Sequence, residues 1–355
     1  MGTCNCISKS EELGSVYVED TSKQYEESSK PPDLAGMDLN TFQTLVPAGF
    51  NQAVALFKAY NTRKIYPEFT ERIQKLTTDF TDFNELPDMI SPEATSLRKE
   101  LGELSFNEQS TPNSYLKGPT KLPDSSIYIG EWNNKDQPQG KGVMYLNDGS
   151  ICEGYWEEGL LHGKGRKIYS NGDYYEGNFS KGKMHGYGKL VLKEKSNYEG
   201  EWKNDQCHGV GKEVWFEGGS YEGTYSYGKK SGRGTFIFKD GSKYQGEVSE
   251  NHIEGYGKYT WNNGREYEGY WVENKMHGKG VFKWKDGRYY EGEYYLDKKH
   301  GYGVFHWPSK GKTYEGYWEN GKQHGLGTMT DSRGRKREGT WNQGKFENSN
   351  YLQFK

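Results

Sequence analysis

Long apolar runs are absent from this chain of 355 residues. Only 32% of it is hydrophobic, and much of that share is tyrosine rather than leucine, isoleucine or valine. No stretch approaches the roughly 18 consecutive apolar residues of a membrane-spanning helix. The opening "MGTCNCISKS" has no apolar centre of the kind a secretory signal needs. Cysteine is scarce as well. Cys4 and Cys6 lie near the first residue, and Cys152 and Cys207 are 55 positions apart. Two scattered thiols in a large chain do not make a disulfide framework, which points to a reducing, intracellular compartment. A dominant charge is also missing, because the net charge is −3. Residues 1–120 carry 11 Lys/Arg against 18 Asp/Glu, and residues 121–355 carry 36 against 32. Neither half has the concentrated positive charge of a nucleic-acid-binding domain.

Catalytic signatures are lacking too. There is no HExxH, no pair of CxxC motifs, no GxSxG and no kinase signature. Two stretches approach a P-loop, "GTYSYGKK" at 223–230 and "HWPSKGKT" at 306–313. The first has Lys230 where Ser or Thr is needed, and the second has His306 in place of the first glycine. A P-loop joins a strand to a helix, whereas the second stretch runs straight into another strand-like "YEGYW". The expectation is a protein without catalytic residues, metal or cofactor.

What the chain has instead is glycine (48), tyrosine (29) and tryptophan (10), and they recur with a period. Aligned on Tyr-x-Gly, the glycines fall at 130, 154, 177, 200, 223, 246, 269, 292, 316 and 339, at intervals of 23 or 24. A Gly-x-Gly follows in the first nine units, led by His162, His185, His208, His277, His300 and His324, and by Gln139, Ser231 and Glu254 in the others. Such self-similarity defines a repeat protein. Within a unit, "YEGYW" alternates like a short aromatic strand, and "VFKWKDG" reads as a second strand ending in a hairpin turn. Gly149, Gly172, Gly241, Gly264 and Gly287 would supply the positive φ of those turns. An isolated hairpin is marginal in water, so the units are expected to stack into a one-dimensional array. The fold class expected is therefore mainly β, an elongated single-layer array of hairpins over 125–345. The histidines are expected to pack and bond within their own turns. Equivalent positions would stand about 10 Å apart, too far to share the roughly 4 Å spacing of ligands on one ion.

The unit YEGxWxxGxxHGxGxxxxxDGxx resembles the MORN repeat (membrane occupation and recognition nexus), in ten near-regular copies. Departures are Cys152 and Arg337 in the tyrosine slot, and Phe179, Tyr225, Val248 and Tyr294 in the tryptophan slot. The resemblance implies an elongated, non-enzymatic array of the kind used in junctional, ciliary and flagellar radial-spoke proteins, cortical scaffolds and some lipid-kinase fusions.

Around the array, residues 1–30 read as a disordered segment, 31–124 as a linker with short helices, and 346–355 as a closing cap. Helices are expected over 41–60 and 67–80, and over 91–104 with Ser91 as N-cap and Pro92 at the first helical position. In "MGTCNC", Gly2 is positioned for N-myristoylation, although Cys6 stands where the consensus has Ser or Thr, and Cys4 and Cys6 are palmitoylation candidates. Two lipids would make a stable anchor where one would not. One face of the ribbon should present Tyr198, Trp202, Tyr221, Tyr225, Tyr244, Tyr267, Trp271, Tyr290, Tyr314 and Trp318 as a groove for a partner segment. Its rims would carry Lys229, Lys230, Lys298, Lys299 and "RGRKR" at 333–337.

The functional expectation is a scaffold that binds cytoskeletal, ciliary or cortical proteins and is tethered to the cytoplasmic face of a membrane, with homodimerisation through its ends open. One alternative is a phosphoinositide or anionic-lipid-binding module, or a regulator of a lipid kinase. Another is a radial-spoke-like axonemal component. The thin positive charge of the array weighs against the lipid reading.

Overall fold

The computed structural model describes residues 90–102, 104 and 114–347. The lipidation candidates Gly2, Cys4 and Cys6, the helices expected over 41–60 and 67–80, and the last residues of the tail lie outside the described residues.

A single open sheet of 21 strands, from β1 (Tyr115–Lys121) to β21 (Lys345–Glu347), dominates the described chain. Every strand pairs antiparallel with its neighbours in sequence, so the sheet is a continuous meander. It begins before the expected boundary near 125, because residues 115–121 form the first strand rather than linker.

One unit shows how the sequence produces the fold. Strand β14 (Glu266–Val272) is joined to β15 (Lys275–Lys283) by Glu273 and Asn274, at φ 45° and 64°. Positive φ at both central residues defines the tight hairpin turn whose twist matches that of the strands. From β15 the chain returns through a three-residue loop. There the Trp284 N–H donates to the Arg288 carbonyl (2.8 Å) and the Gly287 N–H to the Trp284 carbonyl (3.0 Å). Gly287 sits at φ 87°, the left-handed position that closes such a loop. The Asp-Gly signal thus marks a real turn.

Each unit has a second turn that the sequence reading did not place. The His-Gly-x-Gly stretch is not a bend but part of a strand. Gly269 pairs with Gly280 and Trp271 with Met276, so Tyr270 stands against three residues, 277–279. Gly278, at φ 60°, absorbs the excess as a β-bulge.

Rows of turns also tie neighbouring units together. The Asn274 N–H donates to the Ile253 carbonyl (3.0 Å), and the Ile253 N–H donates to the Asn274 side chain (2.8 Å). Asp297 and Met276 repeat the pattern one unit on. The residue in the histidine slot belongs to this system. The His208 ring nitrogen accepts from the Tyr227 N–H (3.4 Å), Gln139 from Glu158 (3.2 Å) and Glu254 from Glu273 (2.9 Å). Those three side chains reach the next unit's turn, whereas His162 and His324 lie 3.1 and 3.5 Å from Glu157 and Glu319 of their own hairpins, as expected. In those three units the slot supplies an acceptor, a role that Gln and Glu share with His.

Helix α1 (Pro92–Leu101) starts as expected, with the Ser91 hydroxyl accepting from the Ala94 N–H (3.3 Å). Ala94 packs with Ile127, Tyr145, Ile151 and Ile168 on one face of the first units. Arg98 (2.7 Å) and Arg166 (2.8 Å) both bind the buried Glu153, and Arg166 also donates to the Gly102 carbonyl. Ile127 alternates with Tyr128 along its strand, so the helix covers the face opposite the Tyr-x-Gly rings.

Candidate functional site: an aromatic face

The tyrosine of each Tyr-x-Gly lies flat across a pair of glycines. A Cβ on Gly280 would overlap the Tyr267 ring, and one on Gly269 would overlap the Gly280 backbone. With nothing beneath it but backbone, the ring is sealed from solvent. Its hydroxyl donates to the Tyr270 carbonyl (3.0 Å), a group at the bulge, where the regular strand pairing is interrupted. Tyr244, Tyr290 and Tyr314 bond the carbonyl three residues on in the same way, at 2.7, 3.0 and 3.0 Å. The repeat therefore asks for tyrosine rather than phenylalanine. In four of the units whose following slot holds tryptophan, at Trp156, Trp202, Trp271 and Trp318, the ring N–H reaches back a unit. Trp271 donates to the Gly257 carbonyl and Trp318 to that of Gly303, both at 3.1 Å.

These rings meet edge to face in one row. Tyr267 stands 5.0 Å from Trp271 and 5.2 Å from Tyr294, and Tyr290 stands 5.3 Å from Tyr294 and 5.2 Å from Trp318. The substituted slots keep to the pattern, since Cys152, Phe179, Tyr225, Val248 and Tyr294 are all buried. Arg337 is exposed at the end of the row, its guanidinium 5.1 Å from the ring of Phe346 on β21. Burial pushes the phenols of Tyr221 and Tyr314 up to about 12. It also raises those of Tyr128, Tyr175, Tyr225, Tyr244, Tyr267, Tyr290 and Tyr294.

The ten rings expected to line a groove are thus placed inside. Tyr198, Trp202, Tyr221, Tyr225, Tyr244, Tyr267, Trp271, Tyr290, Tyr314 and Trp318 are each at most 5% exposed. A core one side chain deep consumes them.

The rings that solvent reaches on this face belong to the other strand of each unit or to the residue just beyond it. Trp215, Phe236, Phe238, Tyr259, Trp261, Trp284 and Trp307 are partly buried against the core. With Phe282 and Phe305 they form an unbroken rail. Centroid separations run 5.8 Å for Phe236–Phe238, 5.4 Å for Phe238–Tyr259 and 4.5 Å for Tyr259–Trp261. They continue at 5.2 Å for Trp261–Phe282, 4.4 Å for Phe282–Trp284, 5.2 Å for Trp284–Phe305 and 4.2 Å for Phe305–Trp307. The signal was in the sequence, as an aromatic just before Asp-Gly or Asn-Gly in unit after unit.

Cations sit on the rail. The guanidinium of Arg265 lies 5.3 Å from the Trp261 ring and that of Arg288 5.6 Å from Trp284, within the range of cation–π attraction. Of the expected rim lysines, Lys229 pairs with Glu250 in the open. Lys230 instead points inward, to a buried ion pair with Glu213 at 2.6 Å. Lys299 also turns onto the ring face, among four rings at 5.2–5.5 Å. Among the described residues no cluster of His, Cys, Asp and Glu has the geometry to hold a metal ion.

These features define a class: an open, one-dimensional β-hairpin array with a sealed aromatic core and a solvent-facing aromatic rail. The MORN repeat model matches residues 128–151, 152–174, 175–193, 198–220, 221–243, 244–264, 267–287, 290–312 and 314–334. The chain belongs to the MORN-repeat family. No curated protein gives a significant match. Among solved structures, the TCP domain of SAS-4 (dCPAP) from Drosophila melanogaster, in complex with a proline-rich motif of Ana2 (dSTIL), aligns at 13% identity. It covers 53% of this chain and 95% of that one with a TM-score of 0.28. Virginiamycin B lyase from Staphylococcus aureus aligns at 11% identity over 68% of this chain and 75% of its own, with a TM-score of 0.12. Neither likeness bears on what this chain does.

Proposed function

We propose that this protein is a non-catalytic scaffold that takes partner protein segments along the aromatic rail of its repeats and is held at the cytoplasmic face of a membrane by lipids on Gly2, Cys4 and Cys6. The rail carries the reading. Nine adjoining rings from Trp215 to Trp307 run along the face that α1 leaves alone, seven of them partly open to solvent and Phe282 and Phe305 buried between them. A contiguous row of rings that solvent partly reaches is apolar surface of the kind that marks interaction sites, and tryptophan, tyrosine and arginine are the residues enriched among binding hot spots. Anionic-lipid binding by the repeats fits less well, because the rail's cations are few and spaced among rings rather than massed.

The test uses the full chain in its source cells. Trp261→Gln combined with Trp284→Gln should strip the partners that co-purify with wild type while leaving the near-ultraviolet circular dichroism signal of the core intact. An unchanged partner set would refute the rail as the docking surface. The anchor is tested separately, by fractionating wild type and Gly2→Ala. Wild type should need detergent for release, and the variant should be soluble at lysis. Equal retention of both in a detergent-resistant pellet would make the protein a cytoskeletal or axonemal component instead.

A further inference from the structure

One ammonium on the rail is left without a counter-charge. Lys299 faces Tyr294 across the hairpin, the slot that Met276 fills opposite Trp271, Ile253 opposite Val248 and Cys207 opposite Trp202. Leu161 and Met184 fill it in earlier units. Uncharged side chains suit that slot because it looks onto the core. Only one other unit places a lysine there, and the way Lys230 is accommodated shows what a charge in this slot requires. Lys230 lies among the rings of Trp215, Tyr221 and Tyr225, and Glu213 binds its ammonium at 2.6 Å. In the unit of Lys299, the place of Glu213 is taken by Phe282, so no carboxylate is supplied.

Lys299 has the rings without the acid. Its ammonium stands 5.5 Å from the centroids of Trp284 and Tyr290, 5.3 Å from Phe305 and 5.2 Å from Trp318, and it forms no ion pair within the described chain. The charged group that bears on it is another cation. Arg288 shares the Trp284 ring, and its own charge is already matched by Asp286 at 2.7 Å. Loss of hydration, and then Arg288, lower the Lys299 pKa. Ring faces attract a cation but neutralise nothing, and a half-buried charge without a partner is costly.

We propose that Lys299 is an anion-recognition subsite of the rail, receiving the carboxylate of an aspartate or glutamate in an extended partner segment whose adjoining apolar side chain packs on Trp284 or Trp307. The proposal rests on the rail being a surface for protein segments and adds what it selects: an acidic residue beside an apolar one. Charge complementarity supports this occupant, because a carboxylate there would supply for Lys299 what Glu213 supplies for Lys230. The ring-lined surroundings would strengthen the pair relative to one in open water.

The experiment pans a phage-displayed random library of short peptides on the full-length chain and on Lys299→Met, a variant that copies the residue already filling this slot one unit earlier. Peptides recovered on wild type should be enriched in Asp or Glu next to an apolar residue. Lys299→Met, or Glu→Gln in the peptide, should each weaken binding by at least about tenfold. The two changes together should cost no more than either alone. Lys299→Met should also melt higher than wild type when no peptide is present. Peptides that bind both proteins equally would overturn the subsite and leave the rail standing. Recovery of no peptide on wild type would overturn both. Flotation with vesicles containing phosphoinositide that requires Lys299 and displaces the peptides would assign the ammonium to a lipid phosphate, and the proposal would be wrong.

Discussion

Raising the pH should dismantle this protein abruptly, and the magnitude follows from its tyrosines. Nine phenols of the sealed row are raised by burial, Tyr221 and Tyr314 to about 12 and seven others in the same direction. An unfolded tyrosine ionises near 10. A group whose folded value lies above its unfolded one adds stability in full below the unfolded value and loses it as pH climbs through the folded one. Between about pH 10 and 12 the folded chain therefore holds protons that the unfolded chain has released, and stability falls with pH. For a single ring held neutral, the loss is about 0.8 kcal/mol at pH 10.5 and about 1.4 at pH 11. For nine rings it is about 8 and about 13 kcal/mol, comparable with the whole stability of a typical domain. Phenolate absorbance and the near-ultraviolet circular dichroism signal, followed together through an alkaline titration, should show one shared cooperative step between about pH 10.5 and 11. Gradual ionisation of all the tyrosines while the aromatic dichroism persists would refute the sealed core.

Three substitutions probe the repeat chemistry. Tyr267→Phe keeps the ring but leaves the Tyr270 carbonyl without its donor, and should cost about 1–2 kcal/mol by chemical denaturation. The glycines of one Gly-x-Gly should differ. Gly278→Ala meets mainly the penalty of positive φ, about 1–2 kcal/mol, whereas Gly280→Ala must expel the Tyr267 ring from its seat and should cost about 3 kcal/mol or more. Equal losses at the two positions would contradict the ring-over-glycine packing. Lys230→Met should destabilise by about 3–5 kcal/mol, because it strands the buried Glu213. The same change at Lys299 should not destabilise, and the paired melting curves check the contrast.

The period, the strand content and the Asp-Gly turns were legible because each rests on residues adjacent in sequence. Ser91 and Pro92 announced the start of α1 for the same reason. The tight turns were not, since pairs such as Glu273–Asn274 and Leu296–Asp297 contain no glycine although both residues have positive φ. The nearby Gly-x-Gly looked like the bend because Gly278 shares that conformation inside a bulge. Alternation shows that a strand has two faces, but not which of two aromatic rows on one face is sealed. That depends on the Gly269–Gly280 pairing, which seats the Tyr267 ring against the backbone and leaves Trp284 further out. Lys230 and Lys299 look alike in sequence. They differ because Glu213 stands across the sheet from one and Phe282 from the other.

The two ends of the sheet are not equally secured. The first units are braced across their back by α1, with Glu153 held between Arg98 and Arg166. The last is closed by a three-residue strand and by Phe346 set against Trp341. A meander whose strands pair only with their sequence neighbours can come apart one hairpin at a time, so fraying should begin at the C-terminal units and run backward. Amide protons would then exchange along a gradient, fastest near β21 and slowest beneath the helix. Under tension, the array would pay out chain from one end like a tape measure with its case fixed.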